Sequence, residues 1–279
     1  MESKFFQETV VCCSGYEYVR DDLRAKEHKV FIESLWGKYQ NLADTHFLSD
    51  ACNHFQERFW EMYLGVTLLE KGYGLNADLF KDPEFYFSLN DKKVWVEAVA
   101  PGLGEGVDAV PELVPDTGVH KFPEEKIILR IRNAIEGKHK KLLKYKEDKI
   151  VGSDDSFVLA INGARMGVQA APAPVGKGIT PLILKAVFPI GSPYGVWNEA
   201  GELVYEGHTH RDAIEKKNKA KVSTDVFLDK RYSDISAIIY SGVNYCNYPE
   251  KMGENFQVVH NCLAEQPLGI GALGLGVEY

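Results

Sequence analysis

Phe85-Tyr86-Phe87-Ser88-Leu89-Asn90-Asp91-Lys92-Lys93-Val94-Trp95-Val96-Glu97-Ala98-Val99 is the stretch on which the fold turns. Both ends of it are rich in aromatic and β-branched residues, and Asn90-Asp91-Lys92 between them is turn-prone, so the segment reads as a β-hairpin. In the second arm Glu97 is the one charge, and its alternates Trp95 and Val99 share its face of the sheet. Glu84, preceded by Asp82 and Pro83, opens the first arm. A short turn would bring these acids to one end of the ribbon.

Upstream, Phe55, Phe59, Met62, Val66 and Leu69 recur at helical intervals, and Gly72 stands where a C-terminal glycine would, which predicts a helix over 53–72. Trp60, Tyr63, Leu64 and Leu68 make it apolar nearly all round, the mark of a buried helix. Glu61 sits among them with Glu57 one turn earlier, so it needs a partner or lies on an exposed edge. Residues 1 to about 50, with helical spacing around Phe31, Leu35 and Tyr39, read as accessory helices.

Downstream, Pro101, Gly102, Gly104 and Gly106 start a long loop that runs to Pro123, and Glu124 and Glu125 then open a second helix reaching about Lys146. Acids at its start and lysines at its end suit the macrodipole. Its apolar stripe, Ile131, Ile135, Leu142 and Tyr145, is interrupted by Lys138. A lysine on a core-facing side must snorkel to water or meet an acceptor. Lys140, Lys141 and Lys144 lie mostly off the stripe and read as solvated. Further strands are predicted at 157–161, 182–188, 235–240 and 256–259, with an Ala/Pro-rich loop at 170–176 and a basic polar segment at 211–221. The expectation is an α/β chain with a central mixed sheet flanked by helices. It forms a single domain over 1–279, made of a lead-in (1–50), a core (51–165) and additional strands and loops (166–279).

The 279 residues are 45% hydrophobic and 26% charged, enough apolar material for a core and too little polarity for a disordered chain. No apolar run approaches the roughly 20 residues of a membrane span, and the first residues lack the blocks of a signal peptide, so a cytoplasmic protein without membrane association is expected. Five cysteines, two of them adjacent, fit neither a disulfide framework nor a zinc site and are expected to be reduced thiols. The net charge of −8 excludes a uniformly basic surface. Yet Lys121–Lys149 holds ten Lys or Arg against five acids, a local +5 that leaves −13 elsewhere. Such a strip is a solvated helix face or a phosphate-facing one.

Phe59-Trp60-Glu61-Met62-Tyr63-Leu64 on a helix, Pro83-Glu84-Phe85 opening a strand, and Val94 to Val99 in the next, followed by a long helix and another strand, resemble the PD-(D/E)xK nuclease superfamily over residues 55–163. The resemblance implies a restriction-endonuclease-like core and phosphodiester hydrolysis in DNA or RNA with Mg²⁺ or Mn²⁺. Glu84 takes the place of the aspartate after proline, with Asp82 its rival; Glu97 is the acid of the (D/E)xK element, and Glu61 the helix acid. These three would hold the metal. The pattern's lysine is Val99 here, which cannot orient water. Some members supply that cation from the following helix, where Lys138 already stands out. Nucleic acid is the expected partner, with Lys216, Lys217 and Lys219 added to the basic strip as backbone contacts and a homodimer left open. Two alternatives stand beside this: a nuclease-fold binding or regulatory protein that has lost catalysis, favoured by Val99 and the net charge, and a metal-free protein in which Glu61, Glu97 and Lys138 are buried ion pairs.

Other signals point less far. Gly269-Ile270-Gly271-Ala272-Leu273-Gly274 matches GxGxxG, but no βαβ unit can follow it in the residues that remain. His208-Thr209-His210 reads as a surface loop rather than a metal site, and Cys262, His260 and His139 as an unlinked thiol and imidazoles.

Overall fold

The computed structural model describes residues 4–8, 10–77, 83–112, 118, 121–167, 170–172 and 179–279. Six strands form one sheet in the order β1 (Phe85–Leu89), β2 (Lys92–Val99), β3 (Ser156–Asn162), β8 (Ala237–Ser241), β9 (Gln257–His260) and β10 (Val277–Glu278). β1 and β2 are antiparallel, β2, β3 and β8 run parallel, β9 turns back, and β10 lies parallel to β9, so the sheet is mixed. The turn joining β1 to β2 is tight: Asn90 and Asp91 both have positive φ, the conformation that lets a two-residue loop match the twist of its strands.

Alternation along the strands sorts side chains into two cores. Val94, Val96 and Ala98 of β2, with Val158, Ala160 and Ile239, face helices α1 (Ser14–Asp21), α2 (Lys26–Tyr39), α3 (Phe47–Ala51) and α4 (Phe55–Glu70). Trp95, Leu159, Ile161, Ile238 and Tyr240 face α5 (Glu124–Glu147) and α6 (Leu182–Val187). A sheet covered on both faces needs apolar residues at every position, and β3 is buried throughout. The N-terminal helices are thus no accessory. Tyr16, Val19, Ile32, Leu35, Tyr39 and Phe47 are at most 1% exposed and belong to the first core.

α4 is the hub of that layer. It is buried nearly all round and ends at Gly72, whose φ of +90° only glycine adopts freely. Its Trp60 Nε1 donates to the Ala160 carbonyl of β3 at 3.2 Å, which ties the helix to the sheet. Gly65 lets Tyr39 of α2 come close: a Cβ there would lie 2.6 Å from the Tyr39 ring.

Three readings change. The run 182–188 is helix α6 rather than a strand; a short unbroken apolar run carries no period that separates a buried helix from a buried strand, and Pro181 stands at its start. The polar stretch 211–221 carries a small hairpin, β6 (Ala213–Glu215) with β7 (Lys221–Ser223). A further ribbon, β4 (Ile190–Trp197) with β5 (Leu203–His210), stands outside the main sheet. His208-Thr209-His210 therefore lies in a strand and not a loop. Among the described residues no helix is long and apolar enough to cross a membrane.

Candidate active site

β2 and the residue before β1 place the acids. The pairing Phe85↔Val96, carried one residue further, sets Glu84 across from Glu97. The Glu84 Oε2 accepts the Ala98 N–H at 2.8 Å. Its other oxygen has no hydrogen-bond partner among the described residues. Glu97 points to the α5 side and is fully buried. A buried carboxylate must be compensated. α5 does this with residues one turn apart: Lys138 donates to Glu97 Oε1, Lys141 donates to the same oxygen at 3.2 Å, and the Tyr145 hydroxyl donates to Oε2 at 3.3 Å. The cation that breaks the apolar stripe of α5 thus meets an acceptor, while Lys141 is exposed but also reaches the acid.

Glu61 approaches from the other face. Its Oε1 accepts from the Tyr39 hydroxyl at 2.7 Å, and its Oε2 from Arg58 at 2.8 Å. Arg58 also holds Asp50 at 2.6 Å and Asp44 at 3.3 Å. Arg58, which reasoning from the sequence overlooked, lies one turn before Glu61 on the same helix face, where an acid amid apolar residues would have pointed to it.

Glu57, Arg58, Glu61, Glu84, Val99 and Lys138 line a cleft of about 390 Å³ at the end of β2, and Glu97 lies buried outside its lining. Arg165, from the loop after β3, closes one side; it donates to the Ala100 carbonyl at 3.0 Å and pairs with Glu57. Nothing in the sequence marks Arg165, which the crossover from β3 alone brings to the site. Val99 lines the cleft as an apolar wall. Asp82 lies outside the described residues.

Charge at the cleft is frustrated. Burial, followed by the Glu97 carboxylate, pushes the Glu84 carboxyl well above the ordinary glutamate range, with Lys138 pulling the other way. Burial also raises Glu61, against the pull of Arg58 and the Tyr39 hydroxyl. Burial and then Glu61 hold the Tyr39 hydroxyl protonated. Glu84 has an oxygen to give a hard divalent ion, while both oxygens of Glu97 opposite already accept from Lys138, Lys141 and Tyr145. Among the described residues no three acids, imidazoles or thiols form a complete ligand set. Two carboxylates with water filling the rest is the usual pattern for Mg²⁺.

The remaining sequence signals lie apart from the cleft. His208 Nε2 meets the Thr180 hydroxyl at 2.7 Å, His260 Nε2 meets Glu278 at 2.7 Å, and the Cys262 thiol donates to the Phe227 carbonyl. His139 contacts Tyr232 and faces Asp234. Lys216, Lys217 and Lys219 ring a second hollow with Asp108 and Lys126, and Lys219 pairs with Glu215 at 3.0 Å. The glycine-rich tail leads into β10, with Gly271, Gly274 and Gly276 at positive φ. A larger hollow of about 640 Å³, between α6 and the β4–β5 ribbon, has Glu206 and His208 as its ionisable lining. Comparison of the chain with family models, with curated proteins and with solved structures finds no match.

Proposed function

We propose that the chain is a metal-dependent nuclease of the PD-(D/E)xK type, hydrolysing phosphodiester bonds in a nucleic acid at the cleft beside β2. One observation carries the reading: Lys138, an amine from the following helix, meets Glu97 in the place that Val99 leaves without a cation.

Glu84 and Glu97 would hold Mg²⁺ or Mn²⁺. When bound, such an ion supplies charge neutralisation at a phosphate and lowers the pKa of water. Lys138 then turns from Glu97 toward the reacting phosphate, where its ammonium orients the attacking water by hydrogen bonding and offsets the charge that develops. Lys141 and Tyr145 keep Glu97 in place as Lys138 moves. Glu61 would stand beside them as the helix acid, with the Tyr39 hydroxyl and Arg58 holding its two oxygens. Arg58 and Arg165 flank the cleft as a fork for a phosphate; guanidinium groups pair with two phosphate oxygens at once.

Purified chain incubated with DNA and with RNA, in Mg²⁺, in Mn²⁺ and in chelator, tests this. Metal-dependent cutting is expected, reduced by about 10²–10⁴-fold in Glu97→Gln and Lys138→Met. Salt-sensitive binding without cutting would instead support the reading of a nuclease fold that has kept only recognition. Absence of both in all conditions removes the proposal.

A further inference from the structure

The β4–β5 ribbon is the least satisfied part of the molecule. Its strands pair only with each other. Among the described residues, no backbone group of Leu203–His210 bonds to anything but β4. Among the described residues, the backbone groups that alternate residues of β5 turn to its outer edge have no partner. β4 is protected by Pro193, a shift of register beside it, and its contact with α6. β5 has neither proline nor lysine, the usual devices that keep an edge from pairing.

The faces are unsatisfied too. Trp197 and Leu203 fold over Gly195 on one side, while the tilted rings of Tyr194 and Tyr205, 5.8 Å apart, lie with Val196 on the other. Tyr194, Val196, Trp197, Leu203, Val204 and Tyr205 are 43–61% exposed. At ~150–250 Å² for a large side chain, these six leave roughly 600 Å² open to water. An isolated two-stranded ribbon is at best marginally stable in water.

We infer that β5 pairs antiparallel with β5 of a second copy, joining two ribbons into a four-stranded sheet β4-β5-β5-β4 about a two-fold axis at Gly207. The strand's own sequence supports this occupant. With Gly207 on the axis, Glu206 of each copy faces His208 of the other, Tyr205 faces Thr209, and Val204 faces His210. No like charges oppose one another, and an isologous contact needs this self-complementarity. A nucleic acid is a poor occupant, because Glu199, Glu202 and Glu206 make the ribbon acidic.

Sedimentation equilibrium of the full chain up to about 100 μM should return twice the chain mass. Val204→Lys puts an edge-blocking charge on β5 and should weaken dimerisation by about tenfold or more. Glu206→Lys should do the same, and Glu206→Lys with His208→Glu should restore it. Thermal melts followed by circular dichroism should stay near wild type in all three, because these residues lie outside both cores. A chain of single mass throughout, or a dimer indifferent to Val204→Lys, overturns the inference. The first result gives the ribbon to a different partner. Failure of the double exchange to recover dimerisation overturns the pairing about Gly207.

Discussion

The molecule contains two long β-ribbons of opposite character. In β1–β2, Phe85, Phe87, Val94 and Val96 enter one core, Trp95 and Tyr86 turn to the other, and β3 takes up the edge. In β4–β5 no strand among the described residues takes the edge, and glycines at 191, 195 and 207 with Pro193 break any alternation. Glu84 and Glu97 sit on the ribbon fixed by the sheet and two helix layers. The other ribbon offers surface, and surface suits association. Rigid elements carry chemistry well because neighbouring packing locks their rotamers.

Truncation should separate the two ribbons most sharply. Phe87→Ala removes a fully buried ring from the first core and should cost about 3–5 kcal/mol of folding stability. Tyr205→Ser, on a side chain 56% exposed, should cost the monomer no more than about 0.5 kcal/mol. Urea denaturation of both variants at dilute concentration checks this. Comparable losses would mean that the second ribbon is built into the folded unit after all.

A smaller effect probes how the fixed ribbon is supported from α4. Gly65→Ala adds a methyl that collides with the Tyr39 ring, and Tyr39 is what holds Glu61. Overpacking of a full core costs about 1–3 kcal/mol, while alanine gains about 1 kcal/mol of helix propensity over glycine. The net expectation is a loss of about 1 kcal/mol, with weaker cutting because Arg58 loses its anchor. Melting and cleavage rates measured together test it; a stabilised variant would show that the ring moves freely.

The same contrast explains what the sequence disclosed. Where both faces of an element are buried, its pattern is dense and legible: α4, the β1–β2 hairpin, α5 and β3 all lie within a few residues of where periodicity and turn chemistry put them. Lys138 was legible because a charge in an apolar stripe needs an acceptor. α6 was misread because a six-residue apolar helix and a short buried strand look alike. β4–β5 was passed over because no core imposes an alternation on it. Arg58 had a local mark, the acid Glu61 one turn on, that was not followed. Arg165 carries none, because its place comes from distant elements meeting.

The last expectation concerns Glu84, where site and stability oppose each other. Burial and the neighbouring Glu97 raise its folded-state pKa above the value in the unfolded chain. The folded state thus holds this proton more tightly than the unfolded state does. Linkage makes the contribution favourable in acid and progressively lost as pH rises from the ordinary glutamate range through the raised folded value. Glu84→Gln, which keeps the shape and removes the titration, should therefore be more stable than wild type at neutral pH by about 1–2 kcal/mol, and the gap should close in acid. Mg²⁺ should raise the melting temperature of wild type by mass action but not that of the variant, which narrows the gap from the other side. Melting curves across pH with and without Mg²⁺ read all three effects. A variant less stable than wild type at neutral pH would mean that the Glu84 carboxylate is compensated in the folded protein, and the case for a charge-relieving ion beside Glu97 would fall with it.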